Sequence, residues 1–141
     1  MEHFPNTSLG FADQLFFATH KSEATSKQIV GYCIDIDRDN VFFEGTGQMV
    51  VTFHKAGQTE KALYYLKEIE KGTILIPNGT IGIPYATNIG SGYGPDLLWN
   101  GADKNPCVSS AAWYVFGKMN HDPLAAGYTK NIPAVDKFWL K

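Results

Sequence analysis

Cysteine and histidine are the residues of this chain with the clearest capacity for nucleophilic chemistry. They stand at Cys33 and Cys107, and at His3, His20, His54 and His121. Cys107 has the stronger local context. Asn105 is a favoured N-cap, Pro106 suits the first helical position, and Gly117 suits the left-handed residue that ends a helix. Ala111, Ala112, Val115 and Phe116 recur between them at helical spacing. The pattern predicts a helix bounded by Asn105 and Gly117, with Cys107 in its first turn. There the unpaired N–H groups and the helix dipole favour the thiolate, which is the nucleophilic form. The competing reading is a small residue packed under the helix, because free cysteine is among the most buried residue types.

A thiol nucleophile needs a base within hydrogen-bond reach. His3, His20 and His54 lie upstream of Cys107, and His121 lies just beyond its helix. His3 is close to the N-terminus. His20 follows an apolar run and opens a polar stretch. His54 ends a second run, and His121 is expected to face water. Taken singly, each fits an ordinary solvated residue better than a catalytic one. Other motifs carry less. Asp35-Ile36-Asp37-Arg38-Asp39-Asn40 begins like a calcium loop, but Asn40 stands where glycine is needed and Thr46 where the bidentate glutamate belongs. A solvated turn is the better expectation. Gly90-Ser91-Gly92-Tyr93-Gly94 lacks the strand-to-helix setting of a phosphate loop. No zinc spacing occurs, and Ser109 and Ser110 lack the setting of a nucleophile elbow.

The bulk properties narrow the class. The 141 residues are 44% hydrophobic and 18% charged, with a formal net charge of -2. That length supports one folded domain spanning 1–141, and the composition argues against disorder. No basic patch suggests a nucleic-acid partner, and no apolar run approaches a membrane span. Met1-Glu2-His3-Phe4-Pro5 does not open a conventional secretion signal, so export, if any, would use a non-classical route. Two cysteines are too few for a disulfide scaffold.

Along the chain, residues 1–12 read as an irregular lead-in. Asp13 to Thr19, Gln28 to Asp37, Val41 to Glu44 and Gln48 to His54 read as strands, the second and third joined by a turn at Asp37–Asn40. Thr59 to Lys71 reads as an amphipathic helix with Thr59 as cap and Gly72 as stop, its inner face carrying Ala62, Leu63, Leu66 and Ile69. Thr73 to Ile76 reads as a short strand. A long Gly/Pro loop with Tyr85, Tyr93 and Trp99 leads to the cysteine helix. The end of the chain, Asp136 to Lys141, reads as a short terminal element packing its aromatics. The fold class is α+β: an antiparallel sheet with an amphipathic helix and a cysteine-bearing helix.

Asn105-Pro106-Cys107-Val108-Ser109-Ser110-Ala111-Ala112-Trp113-Tyr114-Val115-Phe116-Gly117 resembles the cysteine helix of circularly permuted papain-like proteins. These include the lecithin:retinol acyltransferase-like enzymes and papain-like domains of bacterial effector toxins. The order of strands, helix, loop and cysteine is similar, and Thr7-Ser8-Leu9-Gly10-Phe11 resembles the segment that follows the base histidine. The resemblance implies a permuted papain-like fold and a cysteine hydrolase or acyltransferase acting on an amide or ester. It implies Cys107 as nucleophile, with His3 as first and His20 as second candidate for the base. No metal or organic cofactor is implied. The implied partners are a peptide, peptidoglycan or lipid substrate and an immunity or inhibitor protein. The rival readings are a non-catalytic module whose aromatic loop stacks on a sugar or peptide, and an inhibitor or immunity-type protein.

Overall fold

The computed structural model describes residues 6–90 and 96–125. His3, Tyr93 and the aromatic stretch Asp136–Lys141 lie outside the described residues. Those described form a mixed α+β structure of four helices and two small antiparallel sheets. In chain order these are α1 (Asn6–Leu15), β1 (Phe17–Lys21), β2 (Gln28–Tyr32), α2 (Phe43–Lys55), α3 (Thr59–Lys71), β3 (Ile74–Leu75), β4 (Ile81–Gly82) and α4 (Val108–Lys118).

Several strand expectations are corrected. Asn6 to Leu15 is helical, because Leu9, Ala12 and Phe16 fall at helical spacing and meet the core. The first strand therefore starts only at Phe17, and His20 lies within it. The second strand ends at Tyr32. No strand forms over 41–44 or 48–54, since α2 runs from Phe43 through both. The alternation of Met49, Val51 and Phe53 coincides with a longer helical series of buried residues, Phe43, Thr46, Val50 and Phe53. Tertiary burial of that face overrides the strand preference of Val50, Val51 and Thr52. In place of one larger antiparallel sheet, among the described residues β1 pairs with β2, from Phe17↔Tyr32 to Lys21↔Gln28, and β3 pairs with β4. α3 spans the expected residues, with Gln58 rather than Thr59 at its N-cap and Gly72 at its C-cap.

The helices form one packed group. The position of a Cβ on Gly47 lies 2.8 Å from Trp113 Cβ, and that of one on Gly117 lies 2.7 Å from Val50 Cγ1. Contacts that advance together along both helices make α2 and α4 parallel. α3 runs antiparallel to α2: Gly72 lies against the Phe43 ring, and Lys61 Nζ sits 4.6 Å from the Phe53 centroid. The β1–β2 hairpin covers the other side of α2 and α3. Glu68, buried on α3, accepts the Val30 N–H at 3.0 Å and Lys71 Nζ at 2.6 Å. Tyr32 packs against Phe53 and Tyr65, and its hydroxyl donates to Asp13 at 2.5 Å.

The connecting segment 83–87 ties the helix starts together. Tyr85 O accepts Phe43 N–H at 3.0 Å, and Ile83 O accepts Cys107 N–H at 2.8 Å. Thr87 N–H donates to Val41 O at 3.0 Å, and Thr87 Oγ1 accepts Val41 N–H at 2.9 Å. Thr87 and Val41 are both fully buried. Thr87→Val keeps the side-chain shape but strands the Val41 N–H. Urea unfolding should show a loss of about 1–3 kcal/mol, whereas an unchanged midpoint would mean the tie is unimportant.

Candidate functional site

Cys107 is the N-cap of α4, with φ -116 and ψ 127, and not a residue of its first turn. Asn105 and Pro106 belong to the preceding turn: Asn105 N–H donates to Gly101 O at 2.8 Å, and Pro106 lies against Gly82. At the other end Gly117 stays helical and buried, where its missing Cβ admits Val50. The left-handed residue that follows the helix is Asn120, with φ 48.

The cap position sets the chemistry of the sulfur. The N–H groups of Val108, Ser109 and Ser110 have no carbonyl a turn earlier in the helix to bond. Cys107 N–H is donated to Ile83 O, so it is not offered to a substrate oxyanion. The sulfur lies 3.2 Å from Ser109 Oγ. Partial burial pushes the thiol pKa up, but the polar groups of Ser109 and Ser110, led by the Ser109 hydroxyl, outweigh it. The net shift is downward, toward thiolate. Ser110 Oγ is 0% exposed and has no partner in full hydrogen-bond geometry, although it stands beside this sulfur.

The described histidines stand elsewhere. His20 is on β1, with Nε2 2.6 Å from Arg38 O. His54 is in the last turn of α2, and His121 packs on Phe116 with ring centroids 5.8 Å apart. Because α2 and α4 are parallel, these two mark the end of the helix pair opposite Cys107. The helix between Cys107 and His121 is about 16 Å long, from 11 residues at 1.5 Å each. Among the described residues the hydrogen-bonding neighbour found for the Cys107 sulfur is Ser109. The signal that finds it in sequence is its spacing: positions two and three after an N-cap face the cap side chain.

Cys33 has the opposite setting. It is buried, and its sulfur lies 3.9 Å from Asp35 Oδ1, 3.7 Å from Asp37 Oδ1, 3.9 Å from Asp39 Oδ1 and 3.6 Å from Asn40 Oδ1. Burial raises this thiol, hydrogen bonds from the Asp35 and Asn40 backbone lower it, and the Asp37 and Asp39 charges raise it; the net shift is upward. The acidic stretch is thus more than a solvated turn, since its carboxylates gather on a buried sulfur. Both cysteines are free thiols.

The loop aromatics form a ladder. Phe42 and Tyr85 have centroids 4.6 Å apart, and Tyr85 and Trp99 4.5 Å apart. Trp99 is 55% exposed. A separate groove of about 260 Å³ opens beside the start of α2, lined by Phe16, Cys33, Ile34, Phe42 and Met49 among others. No helix is long and apolar enough to cross a membrane, among the described residues. Comparison with protein-family models, with curated proteins and with solved structures finds no match.

Iodoacetamide should alkylate Cys107 well before Cys33 in the folded protein at neutral pH. The rate should rise with pH through a midpoint below that of an ordinary thiol, because the thiolate is the reacting form. Peptide mapping that found Cys33 labelled first would overturn this assignment.

Proposed function

We propose that the chain is a cysteine-dependent hydrolase or acyltransferase of permuted papain-like type, acting on an ester or amide through Cys107. The observation that carries this reading is the half-buried sulfur at a helix N-cap, 3.2 Å from the Ser109 hydroxyl, in a setting that shifts its pKa downward. The thiolate adds to the carbonyl carbon, the oxyanion collapses, and the leaving alcohol or amine departs with a proton. Water then cleaves the thioester, or another acceptor takes the acyl group. His3 is the first candidate to carry the proton; it lies outside the described residues. His20 is the second, and would have to release Arg38 O first. A peptide, peptidoglycan or lipid acyl group fits this chemistry, and an effector role with a cognate immunity protein follows from the same resemblance.

Because the setting of the sulfur lowers its pKa without a histidine, the base matters most where the leaving group is poor. Cys107→Ala should abolish release of p-nitrophenol from an activated ester, a loss on the order of a thousandfold. His3→Ala should slow an anilide more than an ester. Hydrolysis that survives Cys107→Ala would overturn the reading.

The aromatic ladder favours a second reading, a binding module in which exposed Trp99 stacks on a sugar or peptide. Titration of tryptophan fluorescence with soluble glycans should then show saturation, and Trp99→Ala should weaken binding about two- to tenfold. No saturation with any glycan or peptide removes this reading.

A further inference from the structure

We propose that the loop between β2 and α2 is a binding site for a zinc-class divalent cation, held by Cys33 Sγ, the carboxylates of Asp35 and Asp37, and the amide oxygen of Asn40. The site stands apart from Cys107 and rests on none of the chemistry proposed for it. One ligand atom from each of Cys33, Asp35 and Asp37 can be chosen so that all lie within 4.8 Å of one another. The Cys33 sulfur is 3.9 Å from Asp35 Oδ1, 3.7 Å from Asp37 Oδ1 and 3.6 Å from Asn40 Oδ1. A tetrahedral ion with sulfur at about 2.3 Å and oxygen at about 2.1 Å holds the two about 3.6 Å apart. The oxygens therefore surround the sulfur at coordination spacing.

Asn40 points to a cation independently of the carboxylates. Its side chain is 0% exposed, and its Nδ2 has no hydrogen-bond partner among the described residues. A buried N–H without an acceptor is costly. Turned over, the amide would offer those N–H groups to the sulfur. It instead turns its oxygen inward, so that an acceptor faces acceptors, and the thiol has one proton for all of them. A cation among the oxygens and the sulfur favours the orientation observed. The loop is also held in place: Asn88 Nδ2 donates to Asp39 O at 3.1 Å, and His20 Nε2 lies 2.6 Å from Arg38 O. Sulfur among the ligands selects Zn²⁺ or Co²⁺ over Ca²⁺ and Mg²⁺, which take oxygen. On binding, the S–H bond breaks, a sulfur–metal bond forms and the proton passes to solvent. Asp37 is exposed and Cys33 lines the groove beside α2, so an ion can reach the site.

The test is titration of the reduced full chain with Co²⁺, read by the thiolate-to-cobalt charge-transfer band. The band should saturate at a single equivalent, disappear in Cys33→Ser and persist in Cys107→Ala. Asp37→Asn removes one charge at an exposed position without touching the core, and should weaken binding at least about tenfold. Zn²⁺ should displace the cobalt and raise the thermal unfolding midpoint, and Ca²⁺ should do neither. Absence of the band, a band kept by Cys33→Ser, or an affinity unaltered by Asp37→Asn overturns the proposal. A band lost with Cys107→Ala places the metal on the other thiol and overturns it equally.

Discussion

Two helix N-termini rest on one connecting segment, 83–87, and the placement of Cys107 depends on that. The carbonyls of Ile83 and Tyr85 accept the N–H groups of Cys107 and Phe43. Gly47 and Gly117, one on each helix, each admit a side chain of the other helix. The segment therefore sets the starts of α2 and α4 side by side, and the glycines let the helices stay close along their length.

The two cysteines show how much of thiol chemistry is decided by neighbours. Both have reduced access to water, which opposes ionisation in each case. Around Cys33 the polar groups are the Asn40 amide oxygen and three carboxylates, and the charges of Asp37 and Asp39 add to that penalty. Around Cys107 they are hydroxyls and amides, which donate and carry no charge. The same side chain is held as a thiol in one place and moved toward thiolate in the other. The dipole of α4 acts in the same direction as the donors, yet the donors are specific to the sulfur and the dipole is not.

The helix over 59–71 was legible because Ala62, Leu66 and Ile69 repeat at 3.6 residues and Gly72 follows directly. The helix over 43–55 was not, because Val50, Val51 and Thr52 favour strands and Met49, Val51 and Phe53 happen to alternate. Only the burial of Phe43, Val50 and Phe53 against the rest of the chain decides between the two periods. The cysteine helix was legible as an element but displaced at both ends. Asn105 and Pro106 have the right chemistry for a helix start and are used by the preceding turn instead; Gly117 has the right chemistry for a stop and is used for packing. Such choices depend on partners distant in sequence, Gly82 and Val50, which no local pattern contains. For the site, Cys107 was legible from its residue type and context. The serines were passed over because the elbow motif concerns serine as nucleophile, not as donor to a neighbouring sulfur.

The serine-lined cap also separates two tasks that a cysteine–histidine pair combines. In such a pair the imidazolium stabilises the thiolate and later supplies the proton to the leaving group, so both abilities vanish together when the ring loses its proton. On the proposed reading the groups beside the sulfur do not titrate in the neutral range, so attack depends on the ionisation of the sulfur and leaving-group protonation on another group. A substrate whose leaving group departs as an anion is then served by the first alone: an activated ester is nearly one, and an amide is not.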